Sequence, residues 1–420
     1  MATSGWRLTG KLDLAALRSA LADVVARHEP LRTLLMNCAD GWRQEVRPPR
    51  TPALVVRQLP EVEGKSREIL AEEFLNHVEA GRFDPSELPA LWAFLGRFDE
   101  HDSVLVLVVF LPLIDGWSLG VVARDFAECY AARVNGETPS LAEPRQYREY
   151  VEWQRESADS ALSNTASEYW LRKLRGANPI AVTPDRGASQ DEFGGTISYR
   201  YSVGRQLGSD STALAARMRS SLFMLLLAVY LTHLRKLTGN ANGVVWALTA
   251  GPARRHRWLQ ETVGYFVNMV PIRNDLSGCA TFREALEQVK ATCLEAYAHE
   301  APFARLAQVA REPISALERG GMVVPGFQVY QDPYAPREQE FGGMTIAPIR
   351  RPLEWQLSAS DIPDDALLWT MELEASGELI GEVRCSAGRF KQETISGMVA
   401  DFRSLLQRAV ADPDFSLNGI

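Results

Sequence analysis

The stretch "VLVLVVFLPLIDGWSLG", Val104 to Gly120, constrains the fold more than any other part of the chain. Eleven residues from Val104 to Ile114 carry no charge, which suits a strand buried on both faces and is too short to cross a bilayer. Asp115-Gly116 then breaks the run as a turn, and the residues from Ser118 onward have helical spacing. A strand, a tight turn and a helix in that order place side chains at a strand end, where reactive groups are commonly mounted. Here the residues at that end are Phe110 and Leu111.

Comparable units recur along the chain. "GWRLTGKLD" alternates as a strand, and Asp13 is positioned to cap the helix "LAALRSALADVVARHE", which stops before Pro30. "LRTLLMN" and "GWRQEVRP" form a hairpin pattern around Asp40-Gly41, and a helical stretch follows from Lys65 to His77. The helix after Gly116 extends to about Val134, and Tyr147 to Leu174 is helical and rich in Trp and Tyr. "GANPIAVTPDRGASQDEFGG", dense in Gly, Pro and Asp, marks a linker.

The second half begins with the strand "TISYRYSV". The helix "SSLFMLLLAVYLTHLRKLTG" is apolar almost all round, and Thr232, His233, Arg235 and Lys236 assign it to a core rather than a membrane. "GVVWALTAG", "VGYFVNMVPIRNDL" and "MVVPGFQVYQD" are strands, Thr281 with Glu284 forms a capping box, and the last helix covers about Lys391 to Val410. The expected fold class is therefore α/β in two lobes, 1–174 and 175–420.

With 420 residues the chain is long enough for two cores. A net charge of −8 argues against a nucleic-acid footprint, so anionic partners would have to meet local basic runs such as Arg254, Arg255 and Arg257, or Arg350 and Arg351. Five dispersed cysteines with no C-x-x-C pair suggest neither a zinc site nor a disulfide framework, and fit a reduced, cytoplasmic setting. No basic segment followed by an apolar core opens the sequence as a signal peptide would.

Several blocks together resemble the condensation domains of nonribosomal peptide synthetases, relatives of chloramphenicol acetyltransferase. They include "RLTGKLDLAALRSALADVVARHEPLRT", "IDGWSLGVVARDFAECY", "YREYVEWQ", "YWLRKLRGA", "VGYFVNMVPIR", "AYAHEAPFARL" and "SGELIGEVRCSAGRFKQETI". The resemblance implies two acetyltransferase-like lobes in a V-shaped pseudo-dimer with a central tunnel. It also implies no bound cofactor, with carrier proteins presenting substrates through phosphopantetheine thioesters.

The family signature is His-His-x-x-x-Asp-Gly. Laid over "FLPLIDG" its histidines fall on Phe110 and Leu111, and only Asp115 and Gly116 remain. Leucine accepts neither a proton nor a hydrogen bond, so a general base worth roughly 10²- to 10⁴-fold in rate is missing. The resemblance gives Asp115 a structural role, paired with Arg273. It also implies that Trp117, Ser118, Tyr265, Asn268, Gln328 and Gln356 face the tunnel, where they could orient an acyl group.

Other departures accompany the lost pair. The family's first helix, with its Ser-x-x-Gln-x-Arg motif, is not seen before "GWRLTGKLD"; the "AGR" loop reads "AGP" at Gly251-Pro252; and Glu354, Trp355 and Gln356 stand where many members have Lys-Phe-Asp. Among the six histidines, His28 and His299 fit structural positions, His233 lies on the core helix, His77 and His101 suit the surface, and His256 alone could be mobile. Three readings follow: a recruitment module binding carrier proteins or a tailoring enzyme, an acyltransferase that works by positioning to form an amide or ester, or a cyclisation or rearrangement catalyst.

Overall fold

The protein is described by a computed structural model. It describes residues 1–39, 41–158, 161–187, 195–309, 323–330, 338–349, 353, 355–358, 362–363, 365–374 and 376–419. In chain order the first part comprises β1 (Ala2–Gly10), α1 (Leu14–Arg27), β2 (Thr33–Cys38), β3 (Gly41–Val46), β4 (Leu54–Gln58) and α2 (Arg67–Glu79). β5 (Leu91–Arg97), β6 (Asp102–Val109), α3 (Gly116–Val134), α4 (Tyr147–Ala158) and α5 (Ala161–Lys173) follow. Next are β7 (Thr196–Gly204), α6 (Arg205–Arg217), α7 (Leu222–Thr238), β8 (Asn242–Thr249), β9 (Asn268–Asp275), α8 (Phe282–Ala298) and α9 (Phe303–Val309). The rest are β10 (Val324–Tyr330), β11 (Gln339–Phe341), β12 (Met344–Pro348), β13 (Trp355–Ser358), β14 (Ala366–Leu373), β15 (Leu379–Ser386) and α10 (Gln392–Ala411).

The chain divides into two compact units, but not by a single cut after residue 174. The first holds 1–155, 253–266 and 332–351, and the second holds 156–252, 267–331 and 352–420. The reason is sheet pairing. β12 joins β1 antiparallel, with Trp6 opposite Pro348, so a segment late in the sequence completes the first unit's sheet, ordered β11-β12-β1-β6-β5-β4. The second unit's sheet is β13-β7-β15-β14-β10-β8-β9, in which β10 runs parallel to both β14 and β8.

β6 is buried at every position, which explains its unbroken apolar run. Leu105, Leu107 and Val109 pack into one core with α1 and α3, while Val104, Val106 and Val108 pack into another with α2. The second unit's core surrounds α7, whose residues from Met224 to Leu234 are all buried. α7 ends where Gly239 takes a left-handed conformation, φ 71°, and returns its N–H to Arg235.

The local end signals act as their chemistry requires. Asp13 accepts from the N–H groups of Ala15 and Ala16, and Thr281 Oγ1 accepts from Glu284 N while Glu284 reaches back to Ala280 N. β2 and β3 pair as the expected hairpin, with Asp40 of its turn outside the described residues. "VGYFVNMVPIRNDL" is a strand only from Asn268 to Asp275, and the residues up to Phe266 belong to a loop of the first unit. No single helix among the described residues is long and apolar enough to cross a membrane.

Candidate functional site

β6 delivers the chain to a single 3-10 turn, Leu111–Leu113, held by Pro112, and Ile114 leads into the cap of α3. Phe110 is half-buried, and Leu111 is 40% exposed, so the position of the second family histidine carries an apolar side chain facing water. Four residues later the environment reverses. Asp115 is buried and caps α3, accepting from Ser118 N at 2.8 Å on Oδ1. Its Oδ2 accepts from Phe266 N at 2.9 Å, and its own N–H donates to Gly264 O at 3.1 Å.

The cation that balances this carboxylate is Arg254. Its Nη2 donates to Asp115 Oδ1 at 3.2 Å and to Ser118 Oγ at 2.7 Å. Its Nη1 donates to the carbonyls of Leu259 and Thr262 at 2.7 and 2.8 Å. The guanidinium also lies 4.1 Å from the centre of the Phe266 ring and 5.3 Å from that of Trp117. This corrects the pairing of Asp115 with Arg273: Arg273 instead donates to the carbonyls of Lys173 and Arg175, at 2.9 and 3.1 Å. It also removes Arg254 from the exposed basic run, leaving Arg255 and Arg257 at the surface; Arg350 and Arg351 lie outside the described residues.

Gly264 is what lets the loop 253–266 close over α3. A Cβ there would sit 2.0 Å from Tyr147 Cδ2, so only glycine fits. Tyr147 in turn donates its hydroxyl to Tyr265 O at 2.7 Å, and burial raises its phenol pKa well above the usual tyrosine range.

Each remaining candidate can be placed by its hydrogen bonds. Ser118 is fully buried; its Oγ donates to Gly264 O at 2.7 Å and accepts from Arg254 Nη2 and Gly264 N. One donor and two lone pairs exhaust a hydroxyl, so Ser118 has no capacity left for a substrate. Trp117 Nε1 donates to Gln260 O at 2.8 Å. In the second unit, Asn268 donates to Glu300 Oε1 and Ala301 O and accepts from Phe303 N. Buried Gln328 donates to Thr370 Oγ1 at 2.7 Å, and half-buried Gln356 lies opposite Ser198 in β13. Gly116 is the first residue of α3. Tyr265 is 37% exposed, and burial together with the Asp115 charge raises its pKa, so it offers a neutral hydroxyl rather than a base.

The structure thus gathers Phe110, Leu111, Asp115, Trp117, Ser118 and Tyr265 in the first unit, and Arg273, Asn268, Gln328 and Gln356 in the second. Glu354 is outside the described residues. No imidazole is among the hydrogen-bond partners of Asp115 or Ser118. His28 is buried against Asp125 at 3.0 Å, His299 stacks on Tyr169 with ring centres 4.1 Å apart, and His256 meets Trp153 edge-on. Arg254 was hidden in the sequence by its neighbours; "RRHRW" reads as surface charge, and only the closed loop shows that one of the run is buried.

Comparison with known proteins agrees with this architecture. A linear gramicidin synthase of Brevibacillus parabrevis is 31% identical over 424 residues, 99% of this chain but only 8% of that protein's length. Chondramide synthase of Chondromyces crocatus is 30% identical over 419 residues, 98% of this chain and 10% of that protein's length. Among solved structures, the SgcC5 protein of Streptomyces globisporus superposes with a TM-score of 0.91 at 36% identity, covering 99% of this chain and 93% of that one. The X-domain from teicoplanin biosynthesis shares the fold at a TM-score of 0.80 and 22% identity, covering 100% of this chain and 92% of that one. The sequence pattern of the condensation domain matches residues 2–420. The chain, with its two-lobe chloramphenicol acetyltransferase-like fold, belongs to the condensation domain family.

Proposed function

We propose that this protein is a docking member of the condensation domain family, serving the assembly of a nonribosomal or hybrid natural product. It binds carrier-protein domains bearing phosphopantetheine-linked intermediates, or a tailoring enzyme that acts on them, without forming the bond itself. One observation carries this reading: among the described residues, no exposed side chain of the signature turn can accept a proton. Leu111 and Phe110 supply none, and the hydrogen-bonding capacity of Ser118 is consumed by the fold while Asp115 is tied to α3, Phe266 and Arg254. The fold also serves as a protein partner elsewhere, since the teicoplanin X-domain has been solved in complex with OxyB.

A second reading, acyl transfer by positioning, is favoured by one observation. SgcC5, at 36% identity, was crystallised with an aryl ethanediol, so a related framework holds a small hydroxyl-bearing molecule. An acceptor hydroxyl or amine held beside a carrier-bound thioester could react without a histidine, at a rate set by proximity.

The test is retention. Carrier domains and tailoring enzymes from the same gene neighbourhood are passed over the immobilised protein, and over Arg255→Glu/Arg257→Glu. Retention by the wild type and its loss on charge reversal are expected. Failure to retain any of them overturns the docking reading.

A further inference from the structure

We propose that the outer edge of β4 is an interface with a second copy of this chain, the two β4 strands pairing antiparallel about a two-fold axis through Val56. The proposal does not depend on the docking reading, because no residue of the signature turn takes part.

β4 ends the first unit's sheet, and no strand lies beyond it among the described residues. It pairs only with β5, in parallel, with Gln58 beside Arg97. Leu59 N donates to Arg97 O at 2.7 Å, which fixes the direction of the backbone groups. Val55, Arg57 and Leu59 turn their N–H and C=O toward β5, and Leu54, Val56 and Gln58 turn theirs outward. The strand is exposed from Val55 to Gln58, with Val55 39% and Val56 40% exposed on its two faces. A free row of donors and acceptors beside exposed valines is a template for another strand.

The sequence of the edge selects a second copy as that strand. Pro52 and Pro60 stand equally far from Val56, one on each side. An axis at Val56 therefore sets each proline opposite the other proline of the second copy, where neither needs a partner for an N–H. Between them Val56 meets itself, Leu54 meets Gln58 of the second copy, and each of these pairs exchanges both of its N–H···O bonds. Val56 shares a face with Leu54, which is packed into the core beneath α1 and α3, so the valine pair extends an apolar surface that already exists. On the other face Val55 meets Arg57 of the second copy, and no like charges oppose. Neighbouring registers lose this match. Centred on Arg57 the strands set two guanidinium groups against each other, and centred on Val55 they set Pro52 against the outward groups of Gln58. An interface that repeats the same patch on both subunits closes as a dimer, and the prolines stop the ladder there.

The experiment follows sedimentation of the full chain across the micromolar range, where a monomer–dimer equilibrium is expected. Val56→Lys sets two ammonium groups together at the axis and should weaken the dimer roughly tenfold or more. Its melting curve at low concentration should be unchanged, since the position is exposed. Under mild oxidation Val56→Cys should become a disulfide-linked dimer faster than Val55→Cys, although the two positions are almost equally exposed. Only residue 56 faces its own copy, with Cα atoms about 5.5 Å apart. A monomer at every concentration, a dimer untouched by Val56→Lys, or equal crosslinking at the two positions would overturn the proposal. So would a monomer whose retention of a carrier domain falls in Val56→Lys, which would give the edge to a strand of that partner.

Discussion

Arg254 Nη2 lies 3.2 Å from Asp115 Oδ1, with side chains only 3% and 2% exposed, and the same Nη2 donates to Ser118 Oγ. The carboxylate therefore has two structural duties: it starts α3 by capping Ser118 N, and it anchors the loop 253–266 through Arg254 and Phe266. A group engaged in this way holds shape, and several predictions rest on that assignment.

Removing either partner leaves a buried charge. Asp115→Ala and Arg254→Met should each cost about 3–5 kcal/mol of stability, with the double variant losing less than the two together. Arg273→Ala should cost only about 1–2 kcal/mol, as it loses two hydrogen bonds to carbonyls. Urea denaturation measures all four; single variants of Asp115 and Arg254 within 1 kcal/mol of wild type would contradict the pairing.

Ser118→Ala breaks three hydrogen bonds at once and should destabilise the protein by about 1–3 kcal/mol. Partner binding at temperatures where the variant remains folded should be unchanged. A variant of native stability that lost its binding would instead make Ser118 a contact residue.

At Gly264 the obstacle is steric. The methyl of Gly264→Ala would overlap the Tyr147 ring, displacing its hydroxyl from Tyr265 O, at a cost of about 1–3 kcal/mol. Gly264→Ala/Tyr147→Ala should recover part of that loss, because the obstructing ring is gone. No recovery would show that the glycine is needed for another reason.

The burial of His233 makes stability depend on pH. It lowers the imidazole pKa from 6.5 to about 4, and neither ring nitrogen has a hydrogen-bond partner among the described residues. The unfolded chain therefore binds the proton more readily, so this contribution to stability is full above about pH 6.5 and declines as pH falls toward 4, by at most about 3 kcal/mol. His233→Phe should flatten that part of the stability curve. An unchanged slope would assign the pH dependence to other groups.

Restoring a histidine alone should not restore a catalytic one. Leu111→His places an imidazole at a 40% exposed position where the carboxylate of Asp115 is already engaged, so its pKa should stay near the ordinary value of about 6.5. Proton NMR titration measures it directly. A shift of more than about one unit would reveal a partner at the turn.

Much of this architecture was legible because local chemistry specifies it. Asp13, Thr281 and Gly239 mark helix ends through bonds they make within a few residues. The apolar run before Asp115 marks a strand covered on both faces, and the family blocks located Phe110 and Leu111. What was not legible depends on distant partners. No local pattern tells that β12 pairs with β1, because a strand's partner and register are set by the sheet it meets. Arg254 and its neighbour Arg255 look alike in sequence, yet one is buried over Phe266 and the other is exposed.

The most direct test of the central claim is intact-protein mass spectrometry of donor and acceptor carrier domains, each loaded with its thioester and mixed with this protein over time. A signature turn used for shape predicts that both carriers keep their masses apart from slow hydrolysis, at the rate seen without the protein. A condensed or cyclised mass that grows with the amount of this protein would contradict it, and would place the chemistry on groups other than the missing histidines.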